Sequence, residues 1–310
     1  MSATPAIELR GLTKRFGDTL ALDHVDLVVQ PGVVFGFLGR NGAGKTTALR
    51  ILSGLARPTE GTAHVLGHDV ASPSDAVRSG IGFLPDVPGF YPWMTAREYL
   101  DFAGKLFALD PATIAERATA LLEMAGLASV TTRVGGFSRG MKQRLGIAQA
   151  LINAPSLLML DEPTSALDPI GRREVLEMVA SLRGRTTVFF STHILADVER
   201  VCDAVAILER GRVVASAGID ELTARAANRL IVEVEGDGAA AVAGMLATRP
   251  WLKSLETTER TLRMTVSDLL TAQREVPEVL AAAGAALRRF EIEETSLEDV
   301  FVERVGGPAR

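Results

Sequence analysis

The spacing of hydrophobic and polar positions changes several times along the chain, and each change marks an element. Residues 6–30 alternate in short stretches, Ile7-Glu8-Leu9 and then Leu20 to Val29, the period of two that predicts antiparallel strands. Four short runs are mainly apolar instead, ending at Leu38, Pro85, Leu160 and Ser191, as strands buried on both faces are. Between them the period becomes helical. Thr95 and Glu98 make a capping box ahead of Tyr99, Leu100, Phe102, Ala103, Leu106 and Phe107. Asp110-Pro111 opens a second helix that ends at Gly126, and a third follows Ser138 with Met141, Leu145, Ala148 and Ile152 on one face. A helix capped by Asp168-Pro169 separates the last two apolar runs. Strands alternating with helices predict an α/β fold with a mostly parallel sheet, an antiparallel β subdomain before it, and a helical insert at about 87–155. In such sheets ligands bind outside the carboxyl ends of the strands. Each of the four runs is followed there by a polar or phosphate-binding group. A hairpin from Ala204 to Ala217 is expected to turn at Glu209-Arg210-Gly211-Arg212.

A boundary is expected near 222–229. Beyond it, strand 230–234, helix 237–248, two strands in 251–267, helix 268–283 and strand 286–292 read as βαββαβ, a small α+β ferredoxin-like domain. The predicted domains are therefore 1–224 and 225–310. The second holds no Cys or His and no cluster of metal ligands, so it reads as regulatory or interaction-mediating. Its alanine-rich segments, such as Ala239 to Ala241, are helix formers without evident chemistry.

Composition narrows the setting without choosing a chemistry. The 310 residues are 47% hydrophobic and 23% charged, with a net charge of −5. That balance offers no general electrostatic attraction to nucleic acid or to an anionic membrane. A single cysteine, Cys202, excludes an internal disulfide framework and points to a reducing compartment. The opening MSATPAIELRGL has no basic segment followed by an apolar core, and so does not read as a signal peptide. No apolar run approaches the roughly 18–20 residues that cross a bilayer. Any role at a membrane is expected to come through a partner.

The sharpest chemical signal lies in VVFGFLGRNGAGKTTALRIL, residues 33–52. Gly39, Gly44, Lys45 and Thr46 fit G-x-x-x-x-G-K-[ST], between a predicted strand and a predicted helix. Glycines let backbone N–H groups turn inward around a phosphate, and the helix start adds its free N–H groups and positive dipole end. The candidate nucleotide-binding segment is thus Gly39, Asn41, Gly42, Ala43, Gly44, Lys45, Thr46 and Thr47. Lys45 would place its charge between the β- and γ-phosphates of ATP, and Thr46 would offer its hydroxyl to Mg²⁺. Asp161 ends a strand and can hold Mg²⁺ through water. His64 and His68 stand four apart, which would be metal spacing on a helix. Gly67 and the β-branched residues around them argue instead for a strand and turn with solvated histidines.

Taken in order, GRNGAGKTT, FSRGMKQRLGIAQAL, LLMLDEP, SALD and STH make residues 6–220 resemble the ATP-binding cassette (ABC) ATPases. YPWMTAREYL, SRGMKQRL and the C-terminal SLEDVFVE look like the drug-export branch typified by daunorubicin-resistance ATPases. The resemblance implies a P-loop NTPase core and a set of roles. Glu162 is the general base that polarises the attacking water, and His193 is the switch histidine that contacts the γ-phosphate. Phe16, otherwise a half-buried loop aromatic, stacks on adenine. Ser138 and Gly140, a plain N-cap in a lone chain, meet the γ-phosphate on a second subunit, so that two ATP molecules lie between two copies arranged head to tail. Asp168 and the SALD turn line that interface.

Two segments depart from the family's pattern, at three positions. Asp86 stands where Gln is usual; it could still reach Mg²⁺ through water, but it adds negative charge beside a triphosphate. Arg139 and Met141 replace Gly and Gln in the signature, while Ser138 and Gly140 remain. The function expected from all this is the ATPase subunit of an exporter. It would act as a homodimer or with a similar ATPase, on the cytoplasmic face of the cell membrane, bound to a separate integral-membrane permease. Phe90, Tyr91 and Trp93 would touch that permease or form a local hydrophobic cluster. The alternative is a soluble ABC ATPase acting on the ribosome or DNA, although those relatives usually carry two cassettes or a long coiled-coil insert. A regulatory nucleotide-binding module without hydrolysis is disfavoured by the presence of Glu162 and His193. No nucleic-acid partner is expected.

Overall fold

The computed structural model describes residues 4–72, 75–219, 221, 229–236 and 238–293. The chain divides after Gly218 into two compact units. In the first, β1 (Ile7–Phe16), β2 (Thr19–Val29), β3 (Val34–Gly39), α1 (Lys45–Leu52), β4 (Glu60–Val65), β5 (His68–Asp69), α2 (Asp75–Gly80) and β6 (Ile81–Leu84) come first. Three helices follow: α3 (Ala96–Leu106), α4 (Pro111–Met124) and α5 (Arg139–Leu151). The unit ends with β7 (Leu157–Asp161), α6 (Pro169–Ala180), β8 (Thr187–Thr192), α7 (Leu195–Val201), β9 (Ala204–Glu209) and β10 (Arg212–Gly218).

Two sheets share the core of this unit. One is antiparallel, in the order β2-β1-β4-β5. The other runs β10-β9-β3-β8-β7-β6. Every residue of β3, β7 and β8 is buried, which is why those runs lack polar alternation. Phe35 and Phe37 of β3 lie 5.8 and 5.2 Å, ring to ring, from Phe189 of β8. The sheet holds one more parallel strand than the apolar runs suggested. The first strand of the expected 204–217 hairpin lies parallel to β3, and only β10 is antiparallel. The seven-residue helix α7 is the crossover that brings it there.

Local signals account for the helical insert. Thr95 and Glu98 form a full capping box on α3, Asp110 accepts from the N–H groups of Ala112 and Thr113, and Ser138 caps α5 through Met141 N. His64 and His68 lie on adjacent antiparallel strands rather than one helix face. His68 is exposed; His64, expected to be solvated, is half-buried with Nδ1 sequestered, because β4 runs against β1 with Glu8 opposite His64.

The second unit contains β11 (Arg229–Val234), α8 (Ala239–Leu246), β12 (Leu252–Thr257), β13 (Thr261–Val266), α9 (Leu269–Ala282) and β14 (Leu287–Glu293). Its sheet is antiparallel in the order β12-β13-β11-β14, the ferredoxin-like arrangement. Alternate residues Leu230, Val232 and Val234, with Leu262, Met264 and Val266, form one core with Val242, Leu246, Val276 and Leu280 from the helices. Trp251 Nε1 donates to Glu275 Oε2 at 3.0 Å. SLEDVFVE (296–303) and most of the 222–229 boundary lie outside the described residues.

Gly82 shows how tightly the insert is packed on the sheet. A Cβ there would stand 2.0 Å from the carbonyl oxygen of Ala150 on α5, so backbone, not a pliable side chain, forbids it. Gly82→Ala is expected to destabilise this unit by about 1–3 kcal/mol, a fall in Tm of roughly 2–12 °C. Calorimetry showing an unchanged Tm would contradict this packing.

Candidate functional site

The turn between β3 and α1 is tight because of one residue. Gly44 has φ +111°, and a Cβ on it would come within 2.4 Å of the Ala21 carbonyl oxygen. No other residue type fits that conformation and that contact. The loop closes through Ala43 N to Arg40 O at 3.1 Å, and α1 starts immediately with its first N–H groups unused by the helix.

Lys45 is buried at this point. Its Nζ donates to the carbonyl oxygens of Gly39 at 2.6 Å and Arg40 at 3.2 Å, and lies 3.1 Å from Glu162 Oε1. Glu162 follows the last residue of β7 and has φ +49°, so the chain leaves the strand by a sharp reversal. Its N–H donates to the Ser191 carbonyl oxygen at 3.1 Å. The other carboxylate oxygen, Oε2, lies 2.8 Å from His193 Nδ1. A carboxylate only accepts, so Nδ1 carries the proton in this contact. One carboxylate thus faces a lysine with one oxygen and a histidine with the other.

Asp161, one residue earlier, is almost fully buried. Its Oδ1 accepts from Ser191 Oγ at 2.7 Å and from Thr46 Oγ1 at 3.3 Å. Burial raises its carboxyl above the usual aspartate range. The bonds from Ser191 and Thr46 oppose the shift, while the charges of Asp86 and Glu162 add to it. Ser191 was missed by the sequence reading. A hydroxyl following Val188, Phe189 and Phe190 near the end of β8 was the available signal.

Lys45, Thr46, Glu162 and His193 line a cavity of about 410 Å³ with Thr19, Leu20, Ala21, Asn41, Gly42, Gly44, Thr47, Asp86 and Ser165. A neighbouring cavity of about 510 Å³ shares Thr46 and Asp86 and is also lined by Asp161 and Arg50. Gly39 and Ala43 shape the loop from behind and do not line the first cavity. Phe16 does not line it either: the ring is 54% exposed at the β1–β2 turn, opposite Thr19, with Lys14 Nζ 4.9 Å from its centre. Ser138 and Gly140 are likewise apart from it within one chain. Gly140 has ordinary space around it, a Cβ meeting nothing nearer than the Gly171 Cα at 3.6 Å.

The oxygen donors suit a hard divalent cation: a buried carboxylate, a hydroxyl beside it and a second carboxylate nearby. Among the described residues no group of three or more His, Cys, Asp and Glu side chains could hold a metal by itself. A cation here would complete its shell with phosphate oxygens and water.

Residues 22–165 match the family model described as ABC transporter, and residues 219–305 match that of the ATP-binding protein DrrA1-3-like C-terminal domain. The chain is 38% identical over 301 residues to the uncharacterized ABC transporter ATP-binding protein YxlF of Bacillus subtilis, covering 96% of this chain and 99% of that one. It is 38% identical over 313 residues to the daunorubicin resistance ATP-binding protein DrrA3 of Streptomyces coeruleorubidus, covering 99% and 98%. Against the bacitracin transport ATP-binding protein BcrA of Bacillus licheniformis it is 36% identical over 304 residues, covering 97% of each. Among solved structures, an ATP-binding subunit of an ABC transporter superposes with a TM-score of 0.64 at 31% identity, over 72% of this chain and 93% of that one. A dimeric, post-hydrolysis ATP-binding cassette bound to ADP and Pi superposes with 0.61 at 26% identity, over 69% and 98%.

The Asp161 shift carries a sign that can be checked. A carboxyl whose pKa is higher folded than unfolded contributes stability below its unfolded pKa and loses it as pH rises through the folded value. Asp161→Asn cannot ionise. In EDTA without nucleotide, the variant should be more stable to urea than the parent at pH 7–8, with the gap closing as pH falls below about 4. A parent that is the more stable at neutral pH would contradict a buried charge held at a cost.

Proposed function

The chain belongs to the ATP-binding proteins of ABC transporters, and from that premise we propose the detailed roles of its site and partners. It is the ATPase subunit of an exporter, hydrolysing ATP to power transport by a membrane permease. The drug-resistance and bacitracin-transport names of its relatives favour a drug or another hydrophobic compound as the cargo. The observation that carries the site assignment is the convergence of Lys45 and His193 on the two oxygens of Glu162, at 3.1 and 2.8 Å, beside the phosphate loop.

In this reading the N–H groups from Asn41 to Thr47 surround the phosphates, and Lys45 sits between the β- and γ-phosphates. Glu162 polarises the attacking water. His193 holds that carboxylate in place and contacts the γ-phosphate. Thr46 and Asp161, with Asp86 through water, would hold Mg²⁺, which spreads charge away from the β- and γ-phosphate oxygens. Phe16 offers its exposed face to adenine. Ser138 and Gly140 close the site of a second copy: the α5 N-terminus is suited to an anion, and among the described residues none requires Gly140 to lack a side chain. The dimer is then head to tail, of two copies or of this chain and a similar ATPase.

No helix among the described residues is long and apolar enough to cross a membrane, so attachment to the cytoplasmic face runs through the permease. Tyr91 is both anchored and available. Its ring lies 5.4 Å from Phe102 and 5.2 Å from Trp93, while Trp93 is 58% exposed and Val87 80% exposed. A local cluster therefore supports an apolar surface, and that surface is the proposed permease contact.

Two experiments test these roles. Lys45→Ala should abolish ATP turnover, and Glu162→Gln should lower kcat by at least roughly a hundredfold while trapping an ATP-bound dimer visible by size-exclusion chromatography. Turnover near the parent rate in Glu162→Gln would remove the base assignment. Trp93→Ala should keep the basal ATPase rate of the free subunit and lose its stimulation by the co-reconstituted permease; retained stimulation would place the contact elsewhere.

A further inference from the structure

A buried carboxylate outside the nucleotide cavity joins the two chain segments that carry Glu162 and His193. Asp197, on α7, is fully buried. Its Oδ2 accepts from Thr164 Oγ1 at 2.6 Å, and its Oδ1 accepts from Arg172 Nε at 2.6 Å. Thr164 is itself buried and lies two residues after Glu162. Arg172 lies on α6, just past the Asp168 cap, whose Oδ1 accepts from Gly171 N at 2.7 Å. His193 precedes α7 by two residues, and Thr192 Oγ1 accepts from Ile194 N at 3.0 Å in the turn between.

The loop from Glu162 to Asp168 needs such a fastening. Glu162 and Ala166 both have positive φ, +49° and +54°, a conformation that persists only where neighbours over-determine it. A carboxylate with no exposure is a poor way to gain stability, since its desolvation offsets much of what the pairing returns. What the arrangement does supply is geometry. One rigid carboxylate fixes the loop after the base, the helix beyond that loop, and the helix after the histidine.

We propose that Asp197 is a positioning residue for hydrolysis. Through Thr164 it holds the loop behind Glu162 in register with the helix behind His193, so that the Glu162–His193 contact and the Asp168 end of the loop move as one unit. This rests on the proposed roles of Glu162 and His193. Neither Asp197 nor Thr164 lines the nucleotide cavity, so the tie governs turnover rather than ATP affinity.

Thr164→Val removes the hydroxyl at nearly constant volume and leaves the Arg172–Asp197 pair intact. The expected result is a kcat lowered about tenfold or more with KM for ATP within about twofold of the parent, the split that marks a group acting on the transition state. Thr164→Ser should restore kcat. Where Thr164→Val does not fold, Asp197→Glu, which keeps the charge but moves both acceptors, should show the same split. A folded Thr164→Val with parental kcat overturns the inference, as does a Thr164→Ser variant no better than Thr164→Val, or KM rising in step with the fall in kcat. Glu162→Gln is measured alongside. If it remains active, the assignment beneath the inference fails; if it is inactive and Thr164→Val is not impaired, only the inference fails.

Discussion

Asp161 is a carboxylate kept out of water between two hydroxyls, and the geometry of the whole site depends on how it is held. Ser191 reaches it from the adjacent parallel strand, and Thr46 reaches it from the first turn of the helix after β3. The sheet order β3-β8-β7 places those three sources side by side. Parallel pairing brings the strand ends to one edge, where Asp161 ends β7 and Ser191 is the penultimate residue of β8. The next residue, Glu162, takes its direction from the same arrangement: its N–H is tied to Ser191, and its backbone reverses there. Displacing the β7–β8 register by one residue would send Asp161 to the wrong face of the sheet and Glu162 away from Lys45.

Features encoded within a few residues were legible in the sequence. The Thr95–Glu98 box, the Asp110-Pro111 and Asp168-Pro169 starts, and the strand, glycine turn and helix of residues 33–52 all appear where their local chemistry placed them. So does the βαββαβ order of the second unit. Features made by distant residues were not legible. Nothing near Ala204 says that its strand lies beside β3. Nothing near Gly82 reveals that α5 presses a carbonyl oxygen onto it. Ser191 and Asp197 look like any strand-end serine and helical aspartate until Asp161, Thr164 and Arg172 are brought against them. The sequence marks the groups that line the cavity; their supports come from tertiary pairing.

The signature segment has a different logic. Ser138 satisfies an N-terminal N–H of α5 by ordinary capping, an interaction that needs no second chain. Gly140 has no comparable internal duty. Its backbone is not left-handed and its surroundings would accept a methyl group. A glycine where the described fold has room for a larger residue fits the proposed reading, in which something approaches from outside. In the proposed dimer that is the triphosphate of the opposite copy, and Arg139, beside it at the α5 start, would add positive charge at the same surface.

Charge bears on why the proposed site would take a nucleotide with a cation rather than a nucleotide alone. Asp86, Asp161 and Glu162 are three carboxylates gathered around the turn between β3 and α1. Lys45 already balances one of them at 3.1 Å. A triphosphate brought into that field meets more negative than positive side-chain charge, and helix N–H groups offset only part of it. Burial raises the carboxyl of Asp161 against its charged form, so in the proposed site a divalent cation shared with the phosphates would offset that cost. Under the proposed roles, the same excess of negative charge that would repel free triphosphate becomes complementary once the cation is counted. Asp86, where the resembling family has an uncharged side chain, strengthens both halves of that balance: greater repulsion without the cation, greater complementarity with it.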